Sequence, residues 1–179
     1  MKNKLVTPIV AIALSIITFN ASANLKNTLS LGYAQTQIKI DGDKVDGAPK
    51  GINIKYDHKL NESFGIIGSI IYNHKKYYCY DVQDEMNAQS NFNYYLLTAG
   101  PSYRFNEYIN IYGLIGTSII SAKYKDDIEN HHEKKASLSY GVGLQINPIS
   151  NIAIDASYEY SKVNDANLGT WVLGVGYRF

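Results

Sequence analysis

A chain of 179 residues with 17 Lys and Arg against 16 Asp and Glu carries a formal net charge of +1. That balance gives no global attraction to nucleic acid, and the length suits one domain. Past the first residues, no stretch approaches the roughly twenty apolar residues of a spanning helix. A helical membrane protein is therefore excluded, leaving an exported soluble domain or a β-barrel.

Residues 1–23 read as a secretory signal peptide. Lys2 and Lys4 precede the apolar run Leu5 to Phe19, and Ala21-Ser22-Ala23 is a small-x-small cleavage site. The mature domain is then 24–179, about 156 residues once about 23 are removed. Its one cysteine, Cys79, excludes an intramolecular disulfide and is read as an incidental loop thiol. Abundant Tyr (16) and scarce Pro (4) suit strands and interfacial girdles.

Period-two alternation then recurs along the chain and predicts eight strands. The first covers 27–40, with Leu29, Leu31 and Tyr33 on one face. The second, 50–60, puts Ile52, Ile54 and Tyr56 against Asn53, Lys55 and Asp57. The third runs from Ser63 towards Tyr78, with Phe64, Ile66, Ile70 and Tyr72 sharing a face. The fourth, 91–105, alternates Tyr95, Leu97, Ala99, Tyr103 and Phe105 with Thr98, Gly100, Ser102 and Arg104. The fifth, 108–124, has no clear facing, because Ile111, Leu114 and Ile115 do not share one parity. The sixth, 136–147, and seventh, 151–161, alternate apolar residues with Gly, Ser, Gln, Asp155 and Glu159. The last, Gly169 to Phe179, alternates Trp171, Leu173, Val175 and Tyr177 with small or polar residues and Arg178, Val172 being the exception.

Connections alternate too. Asn61-Glu62, Asn106-Glu107 and 148–150 are tight turns; 41–49, 79–90, 125–135 and 162–168 read as longer polar loops. Short turns on one side and long loops on the other fit an outer-membrane barrel with both termini in the periplasm. The fold predicted is all-β: an eight-stranded antiparallel transmembrane barrel with strands extended on the extracellular side. A soluble sandwich alternates as well, but it would not place apolar residues and so many Tyr on one face of every strand.

Such a barrel has an interior just wide enough for side chains. Lys55, Arg104, Asp155, Glu159 and Arg178 are expected to point inward and pair as a plug. Asp155 and Glu159 lie four apart on one face, about 13 Å, too far to share a proton. Strands three to six exceed the 9–11 residues a crossing needs, so the surplus should project as a sheet whose edge accepts an extended partner. Candidate partner-binding residues there are Lys75, Lys76, Tyr77, Tyr78, Tyr80, Lys123, Tyr124, Lys125, Lys134 and Lys135. The alternative role of these lysines is as counter-ions to lipopolysaccharide. His131-His132 lack an indicated third metal ligand, and no phosphate loop, nucleophile elbow or zinc helix motif occurs. No catalytic residue, metal or cofactor is therefore expected. His58 and Ser63 near a turn suggest a lipid-modifying enzyme only weakly, for want of an orienting third group.

Several segments carry a resemblance: 97–104 (LTAGPSYR), 111–113 (IYG), 139–145 (SYGVGLQ) with Asn147-Pro148, 155–159 (DASYE) and 169–179. They resemble the Ail/Lom family of outer-membrane proteins, the type of outer membrane protein X and the attachment-invasion locus protein. The resemblance implies a non-enzymatic eight-stranded barrel with a protruding sheet. It also implies adhesion, invasion or serum resistance in some members. The expected partners are outer-membrane lipid and lipopolysaccharide, with a host cell-surface, matrix or complement-regulatory protein; a monomer and no nucleic acid are expected. The alternative is a structural envelope-integrity barrel with no dedicated ligand.

Overall fold

The computed structural model describes residues 26–40, 42–45, 47–80, 87–125 and 130–179, with backbone alone for 76–80, 87–91, 122–125 and 130–134. Residues 1–23, expected to be a signal peptide, lie outside the described residues. The strands are β1 (Asn27–Ile40), β2 (Asp43–Lys44), β3 (Lys50–Lys59), β4 (Phe64–Tyr80), β5 (Asn87–Arg104), β6 (Ile109–Lys125), β7 (Asn130–Ile149), β8 (Ile152–Val163) and β9 (Ala166–Arg178). Apart from the two-residue β2, which hangs on the end of β1, each strand pairs antiparallel with its chain neighbour, and β9 returns to β1. Eight strands thus close into a barrel. Closure follows from the lipid around it: an open edge in hydrocarbon would leave backbone N–H and C=O groups with no water to satisfy them.

The facing is the reverse of a soluble protein's. Leu31 and Val142 are 63% and 67% exposed, whereas Lys55 and Asp155 are 2% exposed. Aromatic girdles bound the apolar band. Near the termini, Tyr103 packs edge-on against Phe64 and Phe105, each at 5.0 Å. At the other end Tyr72 stacks on Tyr95 at 5.0 Å, and Tyr33 meets Trp171 at 5.6 Å. On β4 the girdles are Phe64 and Tyr72, a separation of about 27 Å along the strand at its usual rise. That matches a hydrocarbon crossing by tilted strands.

The structure settles the facing of β6. Ile109, Ile111, Ile115 and Ile119 are exposed, while Asn110, Tyr112, Leu114 and Ser118 are buried. Leu114 broke the expected parity because it is an apolar residue inside the lumen. Tyr112 lies across Gly143, its register partner on β7, where a Cβ would overlap the ring. The β5–β6 ladder lapses at Gly100 and Pro101, the proline having no N–H to donate.

The long loops are shorter than the sequence indicates. Tyr80 pairs with Asn87, so Cys79, opposite Ala88, sits in a strand rather than a loop. Lys125 pairs with Asn130, which brings His131 and His132 into β7. The supposed loop 162–168 is a tight turn: Val163 pairs with Ala166, and Asn164 takes a φ of 55°. Asn tolerates that left-handed conformation better than most residues. Polar residues suggested loops here, but above the bilayer a strand need not be apolar. Turns at the terminal end are capped by asparagine. Asn61 Oδ1 accepts from the N–H groups of Ser63 (3.0 Å) and Phe64 (2.7 Å), and Asn106 Oδ1 from those of Tyr108 (2.9 Å) and Ile109 (2.8 Å).

Candidate functional site

Two regions carry the side chains and backbone groups that bear on function, the filled lumen and the projecting sheet. In the lumen, Lys55 on β3 reaches across to β8. Its Nζ donates to Asp155 Oδ1 at 2.5 Å and to Ser157 Oγ at 2.7 Å. Asp155 also accepts from the Tyr112 hydroxyl at 2.6 Å, and Lys55 Nζ stands 5.4 Å from the Tyr112 ring centroid. A carboxylate buried this deeply needs such donors, because an isolated charge here would be prohibitively desolvated. Glu159, further along the same face of β8, accepts from Thr98 Oγ1 at 2.9 Å and Ser69 Oγ at 3.3 Å. It and Asp155 thus belong to separate hydrogen-bond sets.

Nearer the termini a second network forms. Lys59 Nζ lies 3.1 Å from Asp57 Oδ2 and donates to Ser102 Oγ (3.0 Å) and Asn110 Oδ1 (2.9 Å). Ser102 and Asn110 in turn donate to Asp57, and Asn110 to Gln145. Arg104 and Arg178 do not join Lys55, Asp155 and Glu159. They extend from β5 and β9, opposite walls of the ring, into the terminal mouth, and the buried Nε of each lacks a hydrogen-bond partner.

The lumen also holds apolar matter that alternation did not reveal. Ile67, Tyr112 and Leu114 form one cluster. A larger one at the loop end joins Ala34, Ile38, Ile71, Tyr94, Leu96, Val163, Leu168 and Val172. Between its members, Thr36 bonds Thr170 at 2.7 Å, Asn73 donates to Thr36 at 2.6 Å, and Tyr94 bonds Ser161 at 2.7 Å. Val172 was the one visible signal of this layer in the sequence. Lys59, Tyr112 and Tyr94 escaped notice because a buried Lys or Tyr is indistinguishable by residue type from an exposed one.

The projecting sheet is built by β4–β7, of 17, 18, 17 and 20 residues, against 14, 10, 12 and 13 for the other barrel strands. Pairing of β3 with β4 stops at Lys50 opposite His74, and that of β7 with β8 stops at Ser139 opposite Ser161. Residues 75–80 of β4 and 130–138 of β7 are therefore the two edges of a four-stranded sheet. All ten candidate partner-binding residues lie in its strands, none in a loop. Lys75, Lys76, Tyr77, Tyr78 and Tyr80 are on β4, Lys123, Tyr124 and Lys125 on β6, and Lys134 and Lys135 on β7. Lys123 is registered with His132, and Tyr124 with His131. Side chains are described for Lys75 and Lys135 alone. The Lys75 side chain lies against Gly47, whose φ of 85° places it in the left-handed region. Lys135 is exposed.

Residues 8–179 match the outer membrane protein beta-barrel domain family. The chain is 41% identical over 179 residues to the attachment invasion locus protein of Yersinia enterocolitica, covering all of both chains. It is 35% identical over 175 residues to outer membrane protein X of Escherichia coli K12, covering 92% of this chain and 94% of that one. The crystal structure of Ail of Yersinia pestis, in complex with the heparin analogue sucrose octasulfate, superposes with a TM-score of 0.79 at 43% identity, over 86% of this chain and 98% of Ail. The chain therefore belongs to the family of outer-membrane β-barrel proteins that includes the attachment invasion locus proteins and outer membrane protein X, and its place is the outer membrane.

Proposed function

We propose that this barrel displays a protein-binding sheet at the cell surface and acts in attachment to a host cell-surface, matrix or complement-regulatory protein. The observation that carries this reading is that, among the described residues, β4 runs on past its pairing with β3 and β7 starts before its pairing with β8, above the girdle. A row of unpaired N–H and C=O groups is a template for an incoming extended segment. Lysines and tyrosines along the same strands suit protein contact. Ail of Y. pestis was crystallised with the heparin analogue sucrose octasulfate, a polyanion, and the lysines here suit a charge-guided contact as well. In this reading residues 1–23 are cleaved on export, and the terminal end faces the periplasm.

The test is adherence and serum survival of a non-adherent strain expressing the chain, beside a version with 75–81 and 123–135 replaced by short turns. Loss of adherence with the barrel still folded is the expected result. Undiminished adherence of the trimmed version would sink the reading, and altered envelope stress tolerance instead would favour a purely structural barrel.

A further inference from the structure

A cavity of 670 Å³ opens at the terminal mouth between the β3–β4 and β5–β6 turns. Lys26, Lys59 and Arg104 line it together with Glu62 and Glu107. Charges of both signs share this space, yet among the described residues the ion pairs are Lys55–Asp155 and Lys59–Asp57. Arg104, Lys26, Glu62 and Glu107 are in neither. Lys59 is already engaged by Asp57, Ser102 and Asn110, so it is wall rather than ligand-binding group. Arg104 is different. Its Nε is buried and lacks an acceptor, as does the buried Nε of Arg178, which stands outside the cavity lining. A buried guanidinium N–H with no acceptor is costly, and an oxyanion set against Arg104 would satisfy it.

The lipid side of the cavity supplies a third element. Phe105 lines it and is 62% exposed on the hydrocarbon face, continuing into the edge-on Tyr103–Phe64 pair. Arg104 N–H bonds Ser63 O at 2.7 Å, fixing the two turns relative to each other. A cationic base, an acidic rim and an aromatic wall in the bilayer interface together select one ligand chemistry. It is a zwitterion with an oxyanion, a primary ammonium and apolar chains.

We propose that this notch is a phospholipid headgroup site, taking phosphatidylethanolamine from the leaflet that meets the terminal end. The phosphate bonds Arg104 and Lys26, the ammonium lies between Glu62 and Glu107, and the acyl chains run down past Phe105, Tyr103 and Phe64. That the leaflet is the phospholipid-rich inner one rests on the orientation proposed above.

Native mass spectrometry of the full barrel in detergent, titrated with phosphatidylethanolamine, phosphatidylglycerol and phosphatidylcholine, tests the assignment. One phosphatidylethanolamine should be retained about tenfold better than phosphatidylglycerol, as loss of a charge-assisted bond implies. Arg104→Gln should lower that retention about tenfold. Glu62→Gln with Glu107→Gln should erase the preference while lipid is still held. Lys26→Gln alters an exposed side chain before β1 and should weaken retention even if Arg104→Gln fails to fold. Equal retention of both lipids by the unaltered protein would overturn the proposal. So would unchanged retention by folded Arg104→Gln, or displacement of the lipid by inorganic phosphate or a soluble peptidoglycan stem tripeptide. These measurements need no membrane orientation. Labelling Asn106→Cys, made together with Cys79→Ser so that it carries the one thiol, on intact cells with an impermeant maleimide tests orientation separately, so the two failures are distinguishable.

Discussion

The two ends of the lumen are stabilised by different physics. The terminal half holds two networks of charged and amide groups, one around Lys59, Asp57 and Asn110 and one around Lys55, Asp155 and Tyr112. The loop half is a small apolar core around Tyr94, Leu96 and Leu168, with few polar groups threaded through it. Polar and apolar filling both close a narrow barrel, but they fail differently. A polar network suffers when one partner is lost, because the other stays buried and unpaired. An apolar layer suffers in proportion to the volume removed.

The largest effect should therefore come from the terminal half. Lys55→Ala should destabilise the barrel by roughly 3–5 kcal/mol, measured by urea unfolding in micelles, because Asp155 loses its cation. Adding Asp155→Asn should recover a large part of that loss. If the double variant were no more stable than Lys55→Ala, the pairing argument would fail. Leu168→Ala in the loop half should cost about 2–4 kcal/mol, with no comparable rescue from any polar substitution. The comparison also extends to conduction. The intact barrel should show no steady conductance in planar bilayers, and combining Leu168→Ala with Tyr94→Ala should admit more ions than Lys55→Ala does.

Smaller effects separate the turns at the two ends. Asn164→Ala puts a Cβ-bearing residue without a side-chain amide at a φ of 55° and should cost about 1 kcal/mol, whereas Asn164→Gly should be near neutral. At the foot of the ranking, Lys44→Glu should stabilise by a few tenths of a kcal/mol, because Lys39 and Lys44 are directly registered like charges. That gain should vanish at high salt.

Much of this architecture is legible in the chain, and particular residues show why. Lipid contact leaves a dense mark: Leu138, Tyr140, Val142, Leu144 and Ile146 repeat at period two because a strand turns alternate side chains to opposite faces. The inward placement of Lys55, Asp155 and Glu159 follows from the same rule. Leu114 and Tyr94 resisted it, since an apolar side chain on the inner face looks like a break in the pattern. Strand ends were misread at Cys79 and Lys162 for a related reason. Once a strand leaves the hydrocarbon nothing requires alternation, and only backbone pairing records that it continues.

Alternation and turn residues, both local, suffice for an all-β barrel of eight crossings and for its lipid-facing side chains. Which inward groups meet is not local. Lys55 and Asp155 lie a hundred positions apart and become partners only when the ring closes and its curvature brings β3 across from β8. The same closure brings Arg104 and Arg178 into one mouth and leaves the buried Nε of each without an acceptor. It also decides where β3 and β8 stop pairing, and so where the four-stranded projecting sheet begins.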